Sequence, residues 1–396
     1  MNPTTRDAFM PVYAPPDILF TRGEGCYLFT DTNDKYLDFT TGIAVNCLGH
    51  SHPHIVKALK DQSDKLWHLS NMFRIESAET LASRLAALTF ADVMFFANSG
   101  AEANECGLKA MRRYHYDKGD KQRTRIIGMT HSFHGRTIAT VCASGNKSYM
   151  AGFIPNDYGF DQVEFGDIDA LKATITDETA GIILEPIQGE GGINVADKAY
   201  LQAVRDLCDA EGILLMFDEV QCGAGRTGYL YAYEALGVTP DVLTSAKGIG
   251  GGFPVGVCMA TNAVGQHMVV GTHGSTFGGN PLATAVSNAV LDIISDPAFL
   301  TQVRDNGEYL RAALTQLANK YPHVYGQVTG LGLMVGLKVT PPNTELLTML
   351  RNEHHILVVK AGGNSLRLLP PLIVSKAEID QLINALDQVA QTYQPS

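Results

Sequence analysis

In the segments GILLMFDEV (212–220) and DVLTSAKGIGGGFPVG (241–256), a short apolar run stops abruptly at a charged residue, with glycines close behind. The first run ends at Asp218 and Glu219, the second at Lys247. Runs this continuous, without polar alternation, suit strands buried on both faces. Four more runs of the same kind are VMFFA (93–97), RIIGM (125–129), GIILEP (181–186) and VGVCMA (255–260). Segments of helical period fall between most of them, including 102–116 and 198–211. Such alternation predicts an α/β fold: a large domain with a mostly parallel sheet covered by helices.

Beyond about residue 285 the pattern changes. LATAVSNAVLDII and AFLTQVRDNGEYLRAALTQLANKY read as helices. Shorter strand-like pieces follow, GLMVGLKV, ILVVKA and SLRLLP, before a last helix from Lys376. This predicts a smaller α+β domain over 286–396, with the large domain over 51–285. Residues 1–50 contain GCYLFTDTNDKYLDF, a hairpin with Asn33-Asp34 near its turn, and are expected to pack with the small domain.

Composition narrows the function. The 396 residues are 45% hydrophobic and 18% charged, as in ordinary globular proteins. A formal net charge of -11 disfavours non-specific nucleic-acid or anionic-membrane binding. The locally basic stretch from Lys109 to Arg125 reads as a solvated helix end and loop. Seven scattered cysteines, none in a C-x-x-C pair, suggest neither a disulfide framework nor a zinc site. The N-terminal stretch lacks the basic and apolar regions of a signal peptide, and no run has the length of a membrane span. A cytoplasmic address is therefore expected.

Three constellations carry chemistry. In FFANSGAEANE, a strand ends at Asn98-Ser99-Gly100 and a helix begins, with Ser99 and Glu102 at capping-box spacing. A Ser-Gly turn on a helix N-terminus also offers N–H groups and a favourable dipole to a phosphate. Asp218 places a carboxylate at the end of a buried strand, which is costly unless paired. Lys247 lies one strand further on, at the edge where open α/β sheets bind ligands. The glycines at 223, 225 and 228 form G-x-G-x-x-G, but they do not pass directly from strand to helix, so a dinucleotide site is not expected. Lys247 lacks Walker spacing, which excludes a P-loop. One chemistry uses a lysine, an aspartate and a phosphate-holding helix together. The lysine condenses with an aldehyde cofactor, the carboxylate holds its pyridinium nitrogen, and the helix holds its phosphate. That cofactor is pyridoxal 5'-phosphate. A catalytically silent scaffold would be expected to lack Lys247 or Asp218, and both are present.

The chain resembles the class III (ornithine-type) aminotransferases. The resemblance runs through GEGCYLFTDTNDKYLDF, GIAVNCLGHSHP, NSGAEANE, HSFHGRT, EPIQGEGG, FDEVQCGAGRTG, SAKGIGGGFPVG, GTHGSTFGGNP and LRLLPPL. It implies the fold-type I architecture of pyridoxal-phosphate-dependent transferases, as a homodimer with active sites at the interface. It implies that Lys247 anchors the cofactor and carries protons, and that Asp218 keeps the ring nitrogen protonated. Ser99, Gly100 and Ala101 would hold the phosphate, with Thr276 from the partner subunit. Phe133 and Val220 would flank the ring, and Gln221 would contact its hydroxyl. Arg136 and Arg367 would bind substrate carboxylates, with Glu190 as a switch on Arg367 and with Ser275 and Tyr13 near the substrate. The implied reaction moves the ω-amino group of an acylated ornithine to 2-oxoglutarate, a step of arginine biosynthesis. Ornithine, succinylornithine, succinyl-diaminopimelate and 4-aminobutyrate are the alternative donors. Ornithine-specific relatives carry a tyrosine where this chain has Gly42 and Ile43, so an acylated amine is favoured. His50, His52 and His54 alternate like metal ligands, but the comparable family segment binds none, and no metal is expected.

Overall fold

The computed structural model describes residues 9–154 and 158–393. Seventeen strands are present among them. Three form the N-terminal part: β1 Phe20–Glu24, β2 Tyr27–Thr30 and β3 Lys35–Asp38. The large sheet uses β4 Val93–Ala97, β5 Arg125–Met129, β6 Phe160–Val163 and β7 Thr179–Leu184. A short ribbon of β8 Ile187–Gln188 and β9 Asn194–Val195 follows. β10 Leu214–Asp218, β11 Val242–Ala246 and β12 Gly256–Ala260 complete the large sheet, in the order β4-β12-β11-β10-β7-β5-β6. The C-terminal part holds β13 Tyr325–Leu331, β14 Met334–Val339, β15 Ile356–Leu357, β16 Val359–Ala361 and β17 Ser365–Leu368.

The unbroken apolar runs have a direct structural cause. Alternate residues of one strand enter two different cores, one on each face of the sheet. Leu215, Phe217, Leu243, Val257 and Met259 belong to the larger core. Leu214, Met216, Val242, Cys258 and Ala260 belong to the second. All sheet pairings are parallel except those of β12, which runs antiparallel to both β11 and β4. Only residues 247–255 join β11 to β12, and a parallel crossover needs roughly a dozen residues or more. The lysine-glycine turn is therefore also the device that reverses the strand.

Both helices expected inside the large domain form, over Gly100–Asp117 and Lys198–Glu211. The later ones run over Pro281–Ile294, Pro297–Lys320 and Lys376–Thr392. The hairpin pairs β2 with β3 around Asn33, whose φ is 69°. Two details differ from the sequence reading. β6, with its polar sequence FDQV, is an edge strand that gave no apolar signal. ILVVKA is not one strand: it divides at Val358 into β15 and β16, which join different sheets. β15 runs parallel to β3, whereas β16 joins the sheet β13-β14-β17-β16.

The glycines at 223, 225 and 228 serve packing. A Cβ at Gly225 would meet Leu372, and one at Gly228 would meet Arg304. Buried Arg226 donates to the carbonyls of Leu333 and Pro370. This loop ties the large sheet to the C-terminal part. In the basic stretch, Arg113 pairs with Asp117 and Arg125 with Asp161, both at 2.8 Å. Among the described residues no helix is long and apolar enough to cross a membrane.

Candidate active site

β4, β7, β10 and β11 point the same way, so their carboxyl ends share one edge of the sheet. There Asp218 closes β10, and Lys247 follows β11 directly. Ser99 caps the helix after β4, and Glu185 follows β7. These residues line one cavity of about 430 Å³. Gly100, Ala101, Phe133, Arg136, Val220 and Gln221 line it as well.

Asp218 is buried at the floor and fully engaged on one oxygen. Its Oδ2 accepts from Asn104 Nδ2 and His134 Nδ1, both at 2.7 Å. Its Oδ1 accepts from the Val220 N–H at 3.0 Å. Asn104 is itself fixed, donating to the His134 carbonyl and accepting from Thr244. Asn104 and His134 escaped the sequence reading. The available signal for Asn104 was a polar residue on the buried face of its helix, and His134 sits inside the quoted HSFHGRT.

At the cavity mouth, Ser99 Oγ accepts from the Glu102 N–H at 3.2 Å. The return arm of the expected capping box reaches Asn98 instead, whose N–H donates to Glu102 at 2.5 Å. Gly100 and Ala101 lie on the first turn, where no intrahelical carbonyl reaches their N–H groups. An anion can take those bonds. The turn is held by a close approach: a Cβ on Gly256 would lie 2.1 Å from the Ser99 carbonyl oxygen. Gly256→Ala is expected to shift this turn and destabilise the fold by about 1–3 kcal/mol. A thermal melt and a pyridoxal phosphate titration check it; unchanged stability and affinity would contradict it.

Lys247 is half-buried, with φ at 48° in the left-handed region. Burial lowers its pKa, and Arg367 lowers it further against the opposing pull of Glu190 and Asp218. Glu185 lies buried nearby, accepting from the N–H groups of Phe133 and Gly189. Burial, reinforced by Asp218, pushes its carboxyl up to about 7. Glu219 plays a different part, accepting from the N–H groups of Ala232 and Tyr233 at a helix start.

The substrate-side residues are spread over a wider area. Arg367 is buried and donates to Glu190 at 2.7 Å and to Gln221 Oε1 at 3.0 Å. Glu190 lines an adjoining cavity of about 400 Å³ that shares Phe133 with the first. Ser275 and Thr276 line a separate opening beside His68 and Asn71. Ser275 Oγ accepts from Asn98 Nδ2 at 3.2 Å. Tyr13 is 87% exposed and does not line the cavity of its own chain. His50 and His54 bond to different carboxylates, Asp38 and Asp292, each at 2.8 Å.

The cavity suits a flat, phosphorylated, cationic ring. It has an amine, a buried carboxylate with one lightly used oxygen, apolar flanks at Phe133 and Val220, and helical N–H groups at its mouth. Fold and site together define a pyridoxal-phosphate-dependent transferase of the α/β type. A family profile for class-III aminotransferases matches residues 9–390, and the chain belongs to that family. It is 53% identical over 366 residues to the acetylornithine aminotransferase of Agrobacterium fabrum, covering 92% of each chain. Among solved structures, it is 32% identical to the N-acetylornithine aminotransferase of Stenotrophomonas maltophilia, with a TM-score of 0.83, covering 95% of this chain and 96% of that one. It is 30% identical to the ornithine aminotransferase of Toxoplasma gondii, with a TM-score of 0.92 and coverage of 97% and 92%. PLP partly occupies the active site of that structure.

Proposed function

We infer that the chain transfers the δ-amino group of N2-acetylornithine to 2-oxoglutarate, giving N-acetylglutamate 5-semialdehyde and glutamate, as a step of arginine biosynthesis. The observation that carries this reading is the ion pair of buried Arg367 with half-buried Glu190 beside Lys247, with Arg136 exposed at the cavity that Lys247 lines. An ω-amino donor has no carboxylate next to its reacting amine, so Arg367 must be neutralised when that donor binds. Glu190 does this. For 2-oxoglutarate the pair opens, and Arg367 takes the α-carboxylate in bidentate fashion. Arg136 holds the carboxylate at the far end of either substrate.

Pyridoxal phosphate, when bound, withdraws the electron pair left at the substrate carbon. The side chains do the rest. Lys247 anchors the cofactor and then moves the proton, its lowered pKa favouring the neutral amine. Asp218 holds the ring nitrogen, with Asn104 and His134 fixing the carboxylate. Ser99, Gly100 and Ala101 hold the phosphate, joined by Thr276 of a second copy. Phe133 and Val220 flank the ring, Gln221 contacts its hydroxyl, and Ser275 and Tyr13 complete the substrate site in the dimer.

The homodimer is part of the same reading. Leu66, Trp67, Met72, Phe73, Val269, Val270 and Phe277 are exposed. The two stretches adjoin, since Asn71 donates to the Ser275 carbonyl and His68 meets Phe277. An apolar surface of this kind suits association with another copy. The division near residues 50 and 285, with 1–50 packing with 286–396, and a cytoplasmic address belong to the proposal too.

The test is a panel of donors with 2-oxoglutarate. The highest kcat/KM is expected with N2-acetylornithine, ahead of ornithine, succinylornithine, succinyl-diaminopimelate and 4-aminobutyrate; a clear preference for another amine would overturn the substrate. Glu190→Ala should shift the preference from N2-acetylornithine toward glutamate by roughly tenfold, the scale set by leaving buried Arg367 without its half-exposed partner. An unchanged ratio would contradict the switch.

A further inference from the structure

Arg136 is exposed, and among the described residues no carboxylate pairs with it. A guanidinium on its own would sample many rotamers, which is a poor way to hold a substrate. Its position has another source. The Tyr149 ring lies 3.7 Å from the guanidinium carbon, and the Phe133 ring lies 5.4 Å from it. Tyr149 in turn meets Phe133 edge-on, with ring centroids 6.4 Å apart at 85°. Arg136 thus lies against both rings, with Tyr149 supplying the nearer face and the proposed cofactor-flanking Phe133 the farther one.

The stack has a chemical consequence. A guanidinium lying over an aromatic face keeps its N–H donors in the plane, pointing outward from its edges. Those edges are what a carboxylate needs for two parallel hydrogen bonds. Behind the stack is the adjoining cavity of about 400 Å³, lined by Tyr149, Asn146, Glu190 and Lys360. Without the ring, Arg136 could swing into that space.

We propose that Tyr149 is a positioning residue: it holds Arg136 by its face so that the guanidinium edge is presented to the distal carboxylate of the substrate. The inference rests on the assignment of Arg136 to that carboxylate. It predicts that Tyr149 matters only for substrates that carry the carboxylate, and that the ring, rather than its hydroxyl, is what counts.

The experiment uses the cofactor-loaded enzyme and follows loss of its yellow absorbance with two donors. One is N2-acetylornithine; the other is N-acetylputrescine, the same molecule without the carboxylate. Tyr149→Leu is expected to lower the second-order rate constant for N2-acetylornithine roughly threefold to thirtyfold, leaving that for N-acetylputrescine unchanged. Tyr149→Phe should restore the wild-type value. Equal losses with both donors, or no loss with either, would overturn the proposal. Arg136→Met separates the two levels. If it changes the ratio between the donors and Tyr149→Leu does not, the positioning role alone is wrong. If Arg136→Met leaves the ratio unchanged, the assignment of Arg136 is wrong and the positioning role falls with it.

Discussion

Lys247→Ala is expected to reduce turnover by more than about 10⁴-fold, the upper end of what one positioned acid–base group supplies, while the protein remains folded. Two functions are lost together, covalent anchoring and proton transfer at the reacting carbon. Among the described residues it is the only lysine that lines the cavity. The Lys247 side chain projects into the cavity from the end of β11, where burial and Arg367 keep its pKa low. Stability should change little, because the side chain is half-buried and the methyl group fits the space it vacates. The check is kcat by product assay, paired with a thermal melt. Wild-type turnover in the variant would remove Lys247 from the chemistry.

Asp218→Asn is the second large effect, with kcat expected to fall about 10²–10³-fold, the range for losing one preorganised electrostatic contact. Asparagine keeps the shape but removes the charge that holds a protonated ring nitrogen. It also breaks a local network. Asn104 and His134 both donate to one carboxylate oxygen, and the Val220 N–H donates to the other. An amide must present its NH₂ to one of these donors, at a cost of about 1–3 kcal/mol for an unmet buried group. The paired measurements are kcat and the melting temperature. A kcat within threefold of wild type would contradict the role.

The sheet was legible because its strands are buried on both faces, which writes Leu214 to Phe217 as an unbroken apolar run. β6 was not, because an edge strand needs no such run and tolerates Asp161 and Gln162. The break in ILVVKA was hidden for a related reason. Val358 is buried, like its neighbours, and only the tertiary pairing of Ile356 and Leu357 with β3 shows that two sheets compete for the segment. In the site, Lys247 and Asp218 announced themselves as charges ending apolar runs. Asn104 and His134 did not, because their meaning comes from a carboxylate more than 80 residues away in sequence. Neither did Tyr149, since a tyrosine on a short helical turn looks like any surface aromatic. The glycines at 223, 225 and 228 show the converse case, a motif whose spacing suggested a ligand and whose contacts are with Leu372 and Arg304.

The most direct measurement is a single half-reaction on purified protein loaded with pyridoxal phosphate, with no keto acid present. The yellow absorbance is followed as N2-acetylornithine is added, and then as 2-oxoglutarate is added. The structure predicts bleaching by the first and return of the colour with the second. A protein that binds the cofactor but is not bleached by N2-acetylornithine would contradict the proposed substrate, and one that cannot be loaded at all would contradict the site.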